Sequence, residues 1–257
     1  MYTDILYEIK DNMGKITINR PKVLNAWTKN TKEEILDALR EADKDERVKV
    51  VIITGVGDRA FCAGHDLKEG LEEPKETKAD KAVEWITEFD HLYWVMRHFE
   101  KPIIAAVNGV AVGSGWQLAL LCDFRIASEN ARFAFTEIDV GFACIIGSTL
   151  IYLTSGEALA KELVLTGRFM DAKEALKVNL VNKVVSQGEL EKTVYKLAKE
   201  LVQKPPVAMM LNKKWFTMLS DQRYLDCISF AKEAHKIGFA SGEPKRWGDE
   251  FFEKRER

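Results

Sequence analysis

Residues 102–122 read "PIIAAVNGVAVGSGWQLALLC", and the interpretation of this stretch decides the fold. It is long and apolar enough to suggest a membrane span, but Asn108, Gln117 and three glycines interrupt it, so it reads as buried core. "PIIAAVNGV" has the composition of an interior strand, and "VGSGWQLAL" (112–120) places Gly113, Ser114 and Gly115 ahead of an amphipathic run. Small residues let a backbone approach another group closely, and a helix N-terminus presents N–H groups that lack intrahelical partners. The junction therefore suits a carbonyl oxygen or an anion, with Trp116 and Gln117 on the first helical turn.

Upstream, "ILYEI" (5–9), "KITINR" (15–20) and "VKVVIITGV" (48–56) read as strands, the first two joined by "KDNMG" as a hairpin turn. Residues 28–45 between the second and third carry Ile35, Leu36 and Leu39 at helical spacing behind Thr and Asn caps. Strand, helix, strand implies a parallel crossover. "FCAGHDLKEG" (61–70) is a loop, and "LEEPKETKAD" (71–80) reads as mobile and solvated. A long helix follows over 81–100. Downstream come short strands in "DFRIASE" and "ARFAF", helices in "SGEALAKELVLTG" and "DAKEALKVN", and an almost wholly helical region from about 188, broken at Pro205 and Pro206. No solenoid-type repeat is present. The class is α/β with a helical C-terminal appendage.

Charge and cysteine usage narrow the function. The 38 basic and 40 acidic side chains leave a net charge of −2, which argues against a protein that neutralises many phosphates, so no nucleic-acid partner is expected. Cysteines 62, 122, 144 and 227 are scattered without a C-x-x-C pair, so neither zinc nor a disulfide framework is indicated. The charged start "MYTDILYEIKDN" lacks the apolar core of a secretory signal, and the expectation is a cytoplasmic protein without a membrane anchor.

Two motifs mislead. "VVIITGVGDRA" fits strand then G-x-G-x-x-A through Gly55, Gly57 and Ala60, but a dinucleotide site needs a helix next, and "FCAGHDL" reads as a loop. Ser114 lies in a glycine-rich turn, yet Val112 and Trp116 stand where a nucleophile elbow has glycine. What remains is the pair of loops "FCAGHDL" and "GVAVGSGWQ". Converging on one point, their N–H groups would grip a single oxygen and stabilise an enolate or tetrahedral oxyanion. The plain alternative is that the small residues serve strand and helix packing.

"NRPKVLNAW", "AFCAGHDL", "KPIIAAVNGVAVGSGWQLALLCD", "ARFAFTEIDVGF" and "AKELVLTGRFMDAKEA", in this order and spacing, closely resemble the enoyl-CoA hydratase/isomerase family, also called crotonases. The resemblance covers residues 5 to about 190 and is weaker in the terminal helices. It implies a crotonase-like spiral of ββα units over 1–190 holding an acyl-CoA site, a helical oligomerisation domain over 191–257, and homotrimers or dimers of trimers. It implies that the backbone N–H groups of His65 and Ser114 form an oxyanion hole for the thioester carbonyl of an acyl-CoA. Position 114 is usually glycine in the family; serine is a slight departure, since only the main-chain donor is used. Lys22, Val23, Leu24 and Ala26, with Ala63 and Asp66, resemble the family's clasp for the CoA moiety, although Lys22 reads equally well as a solvated lysine. No metal or redox cofactor is implied, coenzyme A being part of the substrate.

One departure bears on chemistry. Hydratases of the family commonly set two glutamates across the substrate's C2 and C3; here the second is Glu137 and the first is Gln117. An amide cannot exchange a proton near neutral pH, though it can hold water or a polar group. Glu137 is then the only matched acid/base, enough for a double-bond shift and, with Gln117 aligning water, for hydration. Asp139 would share its face in an extended segment and lose it in a turn. Cys144 and Ile145 stand where relatives often have Pro-Gly, and Cys144 is either reactive or packed. Trp116 and Phe142 read as lining for a bulky acyl group or as core. The expectation is an acyl-CoA hydratase/isomerase, with a thioester hydrolase, a hydratase-lyase and a non-catalytic binding protein as alternatives.

Overall fold

A computed structural model describes residues 1–66, 69 and 78–256. Strands β1 (Ile5–Lys10) and β2 (Met13–Ile18) form an antiparallel hairpin. Asp11 and Asn12 turn the corner at φ 51° and 62°, the twist that a two-residue hairpin loop requires. Helix α1 (Lys29–Lys44) starts at Thr28, whose side chain accepts from the Thr31 N–H while Thr31 returns the bond, and it buries Ile35, Leu36 and Leu39. β3 (Val50–Gly55) then lies parallel to β2, as the crossover reading requires.

From β3 the chain repeats one movement. β3 is followed by β4 (Ala60–Cys62) and helix α2 (Lys78–His98); β5 (Ile103–Val107) by β6 (Val110–Val112) and α3 (Ser114–Leu120); β7 (Phe124–Ser128) by β8 (Arg132–Ala134). After α4 (Ile145–Ser155) and α5 (Glu157–Thr166) come β9 (Met170–Asp171), α6 (Ala172–Lys177) and β10 (Lys183–Val185). The first strand of each pair enters a six-stranded sheet ordered β1-β2-β3-β5-β7-β10, and the second enters a four-stranded sheet ordered β4-β6-β8-β9. Each unit advances one position along both sheets, which is the ββα spiral. Of the segment 71–80, residues 71–77 lie outside the described residues, and Lys78, Ala79 and Asp80 open α2.

"PIIAAVNGV" is thus two strands in two sheets and not one. The corner between them is Asn108, whose Nδ2 donates to the carbonyls of Gly55, Gly57 and Ala60 (3.0, 2.7 and 3.1 Å) and whose Oδ1 accepts from the Gly55 N–H (3.2 Å). A side chain at Gly109 would run into the backbone of Arg59, so consecutive corners stack only with glycine there. Asn25 braces the preceding corner by donating to the carbonyls of Val56 and Ala60.

The six-stranded sheet is covered on both faces, as parallel strands require. One face joins α1 and α2 in the main core. The other packs Met13, Val50, Ile52, Ile104 and Ile126 against Leu190, Val194 and Ala198 of α7 (Leu190–Val202). Beyond it run α8 (Pro206–Met218), α9 (Asp221–Ser241) and α10 (Glu243–Glu256), in keeping with the helical reading after 188 and the break at Pro205–Pro206. α8 buries none of its residues. α10 begins against Gly141, so the last helix closes on the turn that follows Glu137. Among the described residues no helix is long and apolar enough to cross a membrane.

Candidate active site

The two glycine-rich loops meet. Beyond β4 the chain bridges to Trp27: the Trp27 N–H donates to the Gly64 carbonyl (3.0 Å) and the Asp66 N–H to the Trp27 carbonyl (2.9 Å). In a parallel bridge flanked this way the His65 N–H points away from Trp27. Gly64 and Gly113 take φ of 91° and 56°, turning the backbone just before His65 and Ser114. The two segments abut, since a Cβ on Gly64 would lie 3.7 Å from the Ser114 nitrogen, and one on Gly115 would overlap the Cys62 carbonyl. His65 and Ser114 line one cavity of about 130 Å³, together with Ala63, Gln117, Glu137 and Phe142. The Ser114 hydroxyl is not idle: its Oγ accepts from the Trp27 indole N–H at 2.8 Å, pinning the 63–66 bridge to the start of α3.

Glu137 stands in a 3-10 turn, Thr136–Val140, and not at a strand end. That turn separates it from Asp139, which is exposed. Glu137 is half-buried as a residue, but its carboxyl head is enclosed, and Oε2 is buried without a hydrogen-bond partner. Oε1 accepts from Gln117 Nε2 (3.1 Å) and from the Cys144 thiol (3.4 Å). Loss of solvent raises the carboxyl's pKa to about 7, against the opposing pull of hydrogen bonds from its own backbone, Cys144 and Gln117. Among the described residues lining the cavity Glu137 is the one carboxylic acid. Burial and the adjacent Glu137 hold the Cys144 thiol well above its ordinary value, so the site presents a protonated thiol.

The remaining positions divide. Lys22, Val23 and Leu24 are exposed, Ala26 is buried, and the loop is tied to the 63–66 segment by the Ala63 N–H donating to the Leu24 carbonyl (3.1 Å). Leu24 and Asn25 both have positive φ (54° and 56°), an uncommon backbone that holds Val23 and Leu24 outward. Asp66 pairs with Arg20 at 3.4 Å. Phe142 lines the cavity and packs edge-on against Phe239. Trp116 does not serve as the acyl-pocket wall: its indole lies 4.2 Å from Phe133, centroid to centroid, is 1% exposed, and belongs to the core and not to the cavity lining. At helical spacing from Ser114 the indole falls on the face of α3 that packs inward.

Other residues of the site do not stand out in the sequence. Tyr93 donates to Gln117 Oε1 at 3.1 Å, and Ile86, Phe89 and His235 line the cavity. Ile86, Phe89 and Tyr93 look like an ordinary core stripe in the sequence, and only the i, i+3, i+7 alignment on α2 could have grouped them. For His235, far along the chain on α9, no local signal exists.

Fold and cavity together bring two small-residue loops and one protonatable carboxyl around a common space. The family model described as enoyl-CoA hydratase/isomerase matches residues 8–257. A short-chain-enoyl-CoA hydratase of Clostridium acetobutylicum is 35% identical over 98% of this chain and 95% of its own. A crotonyl-CoA hydratase of Syntrophomonas wolfei is likewise 35% identical, over 99% and 96%. The crystal structure of an enoyl-CoA hydratase/isomerase from Xanthobacter autotrophicus superposes with a TM-score of 0.90 at 30% identity, covering 98% of this chain and 93% of that one. The chain belongs to the enoyl-CoA hydratase/isomerase family and has its crotonase-like spiral fold.

Proposed function

We propose that the protein adds water across the C2–C3 double bond of a short-chain enoyl thioester of coenzyme A. The observation that carries this reading is Glu137: an enclosed carboxyl of raised pKa, in a cavity that His65 and Ser114 line from the adjoining loops. The thioester oxygen accepts the N–H groups of His65 and Ser114, which stabilise the negative charge that develops there. Glu137 takes a proton from water as the water oxygen bonds to C3, the π electrons move toward the thioester, and the proton passes from Glu137 to C2. Atoms balance with no metal or redox group. Gln117, which cannot ionise, orients the carboxyl. The 130 Å³ volume is on the scale that accepts a benzene-sized group, which favours a short acyl chain. Lys22, Val23, Leu24, Ala26 and Asp66, with Ala63 at the cavity wall, form the clasp for the CoA moiety. Phe142 bounds the acyl end.

The presence of Gln117 supports a second reading, isomerisation, in which Glu137 removes a proton from C2 and returns it at C4. The exposed apolar side chains of α8, among them Val207, Trp215 and Phe216 at 63%, 58% and 69%, support self-association, for which the family resemblance implies a homotrimer or a dimer of trimers.

Replacing Glu137 by Gln and assaying crotonyl-CoA and a 3-enoyl-CoA tests the role of the carboxyl. Turnover of the true substrate should collapse while CoA-ester binding persists; undiminished turnover overturns the assignment. The products distinguish hydration from isomerisation, and release of free CoA would point to thioester hydrolysis instead.

A further inference from the structure

We propose that Tyr93 is a positioning residue that acts through Gln117, fixing which end of the amide faces Glu137 and thereby which carboxyl oxygen carries the proton. The inference rests on the reading of Glu137 as the acid/base. A glutamine side chain has an acceptor end and a donor end of nearly the same shape, so a buried amide can turn over unless a neighbour tells the ends apart. Tyr93 is that neighbour. Its side chain is fully buried on α2 and its O–H donates to Gln117 Oε1 at 3.1 Å. With the acceptor end occupied, Gln117 turns its Nε2 to Glu137 Oε1 at 3.1 Å. Cys144 donates to the same oxygen at 3.4 Å. Two donors on Oε1 leave Oε2, buried and unpartnered, as the atom on which the transferred proton sits.

The alternative arrangement is also built into the site. The Tyr93 hydroxyl lies 3.4 Å from the Ser114 carbonyl and could donate there instead. Gln117 would then be free to turn its oxygen toward Glu137 Oε1, an arrangement that an ionised carboxylate repels and a protonated one tolerates. Burial holds the Tyr93 phenol well above its ordinary value, so it remains a donor throughout the working range. The titratable groups around Glu137 are Cys144, ahead of α4, and Tyr93 beyond Gln117; His65 and His235 line the same cavity.

Tyr93→Phe removes one oxygen and is the direct test. Without its donor the amide no longer favours the ionised carboxyl, so the midpoint of the kcat against pH profile should move upward from its wild-type value. kcat should fall by about tenfold, the rate equivalent of one net hydrogen bond, with KM unchanged. In a Gln117→Leu background the same substitution should have no further effect, because its route to Glu137 is gone. An unchanged kcat and midpoint, or an undiminished effect in the Gln117→Leu background, overturns the proposal. If Tyr93→Phe does not fold, 3-fluorotyrosine at position 93 supplies a stronger donor and should lower the midpoint; an unmoved midpoint overturns it equally. Full activity of Glu137→Gln would refute the acid/base reading itself, a result distinct from any of these.

Discussion

Asn108 and Glu137 are both polar side chains turned into the protein close to short strands of the second sheet, and their surroundings treat them in opposite ways. Asn108 is 4% exposed and its amide is met at both ends, by three carbonyls and by a backbone N–H. Glu137 has donors on one oxygen and none on the other. A satisfied buried amide fixes geometry, since any movement costs hydrogen bonds that water cannot replace. A buried carboxyl left half unsatisfied binds a proton more tightly than it would in water. The same desolvation thus produces a fixed corner in one place and a carboxyl of raised pKa in the other.

The largest test of this contrast is Glu137→Gln, which should lower turnover by roughly 10²- to 10⁴-fold, the usual contribution of a positioned acid/base. Steady-state assays with CoA-ester binding measured in parallel would show it. Asn108→Ala should act on the fold instead. Stranding the corner carbonyls should cost on the order of 3 kcal/mol and lower the melting temperature by roughly 5–10 °C, with kcat per folded molecule within a few-fold. A variant that melts like the parent would break the comparison on its structural side.

Stability against pH sharpens it further. The Glu137 pKa rises from 4.5 in the unfolded chain to about 7 in the folded protein, so between those values the folded state holds a proton that the unfolded state has released. Stability from this group therefore declines as pH rises from about 4.5 to 7, and the full penalty, about 3 kcal/mol, is present above 7. Glu137→Gln should accordingly be more stable than the parent at pH 8 and level with it at pH 4, as denaturant titrations at the two values would reveal. Activity that depends on the ionised carboxyl should rise with pH through about 7. The smallest effect belongs to Lys22, exposed and outside the cavity: Lys22→Ala should raise KM for the CoA ester a few-fold and leave kcat alone.

Much of the fold is legible in the order of residues. Asp11 and Asn12 announce the hairpin and Thr28 caps α1, because those structures depend on neighbours in sequence. The corner at Asn108 is not legible, since β4, β6 and β8 have three residues each and are too short to show a period. In the site, the glycine-flanked loops and Glu137 stand out through their motifs. Trp116 misleads, because an indole suits an acyl wall and a core equally well. Tyr93 is silent, one aromatic among several on α2.

By itself the sequence determined an α/β chain with a hairpin start, two small-residue loops and, through the family resemblance, one glutamate where relatives commonly set two. Tertiary structure alone decided that the second strand of every unit joins a different sheet, that Trp116 belongs to the core, and that Glu137 lies out of water beside Gln117 and Cys144. The reason is physical. Turns and caps are made by residues a few positions apart, whereas the acidity of a carboxyl depends on solvent and donors brought to it from 20 positions back and 7 positions on.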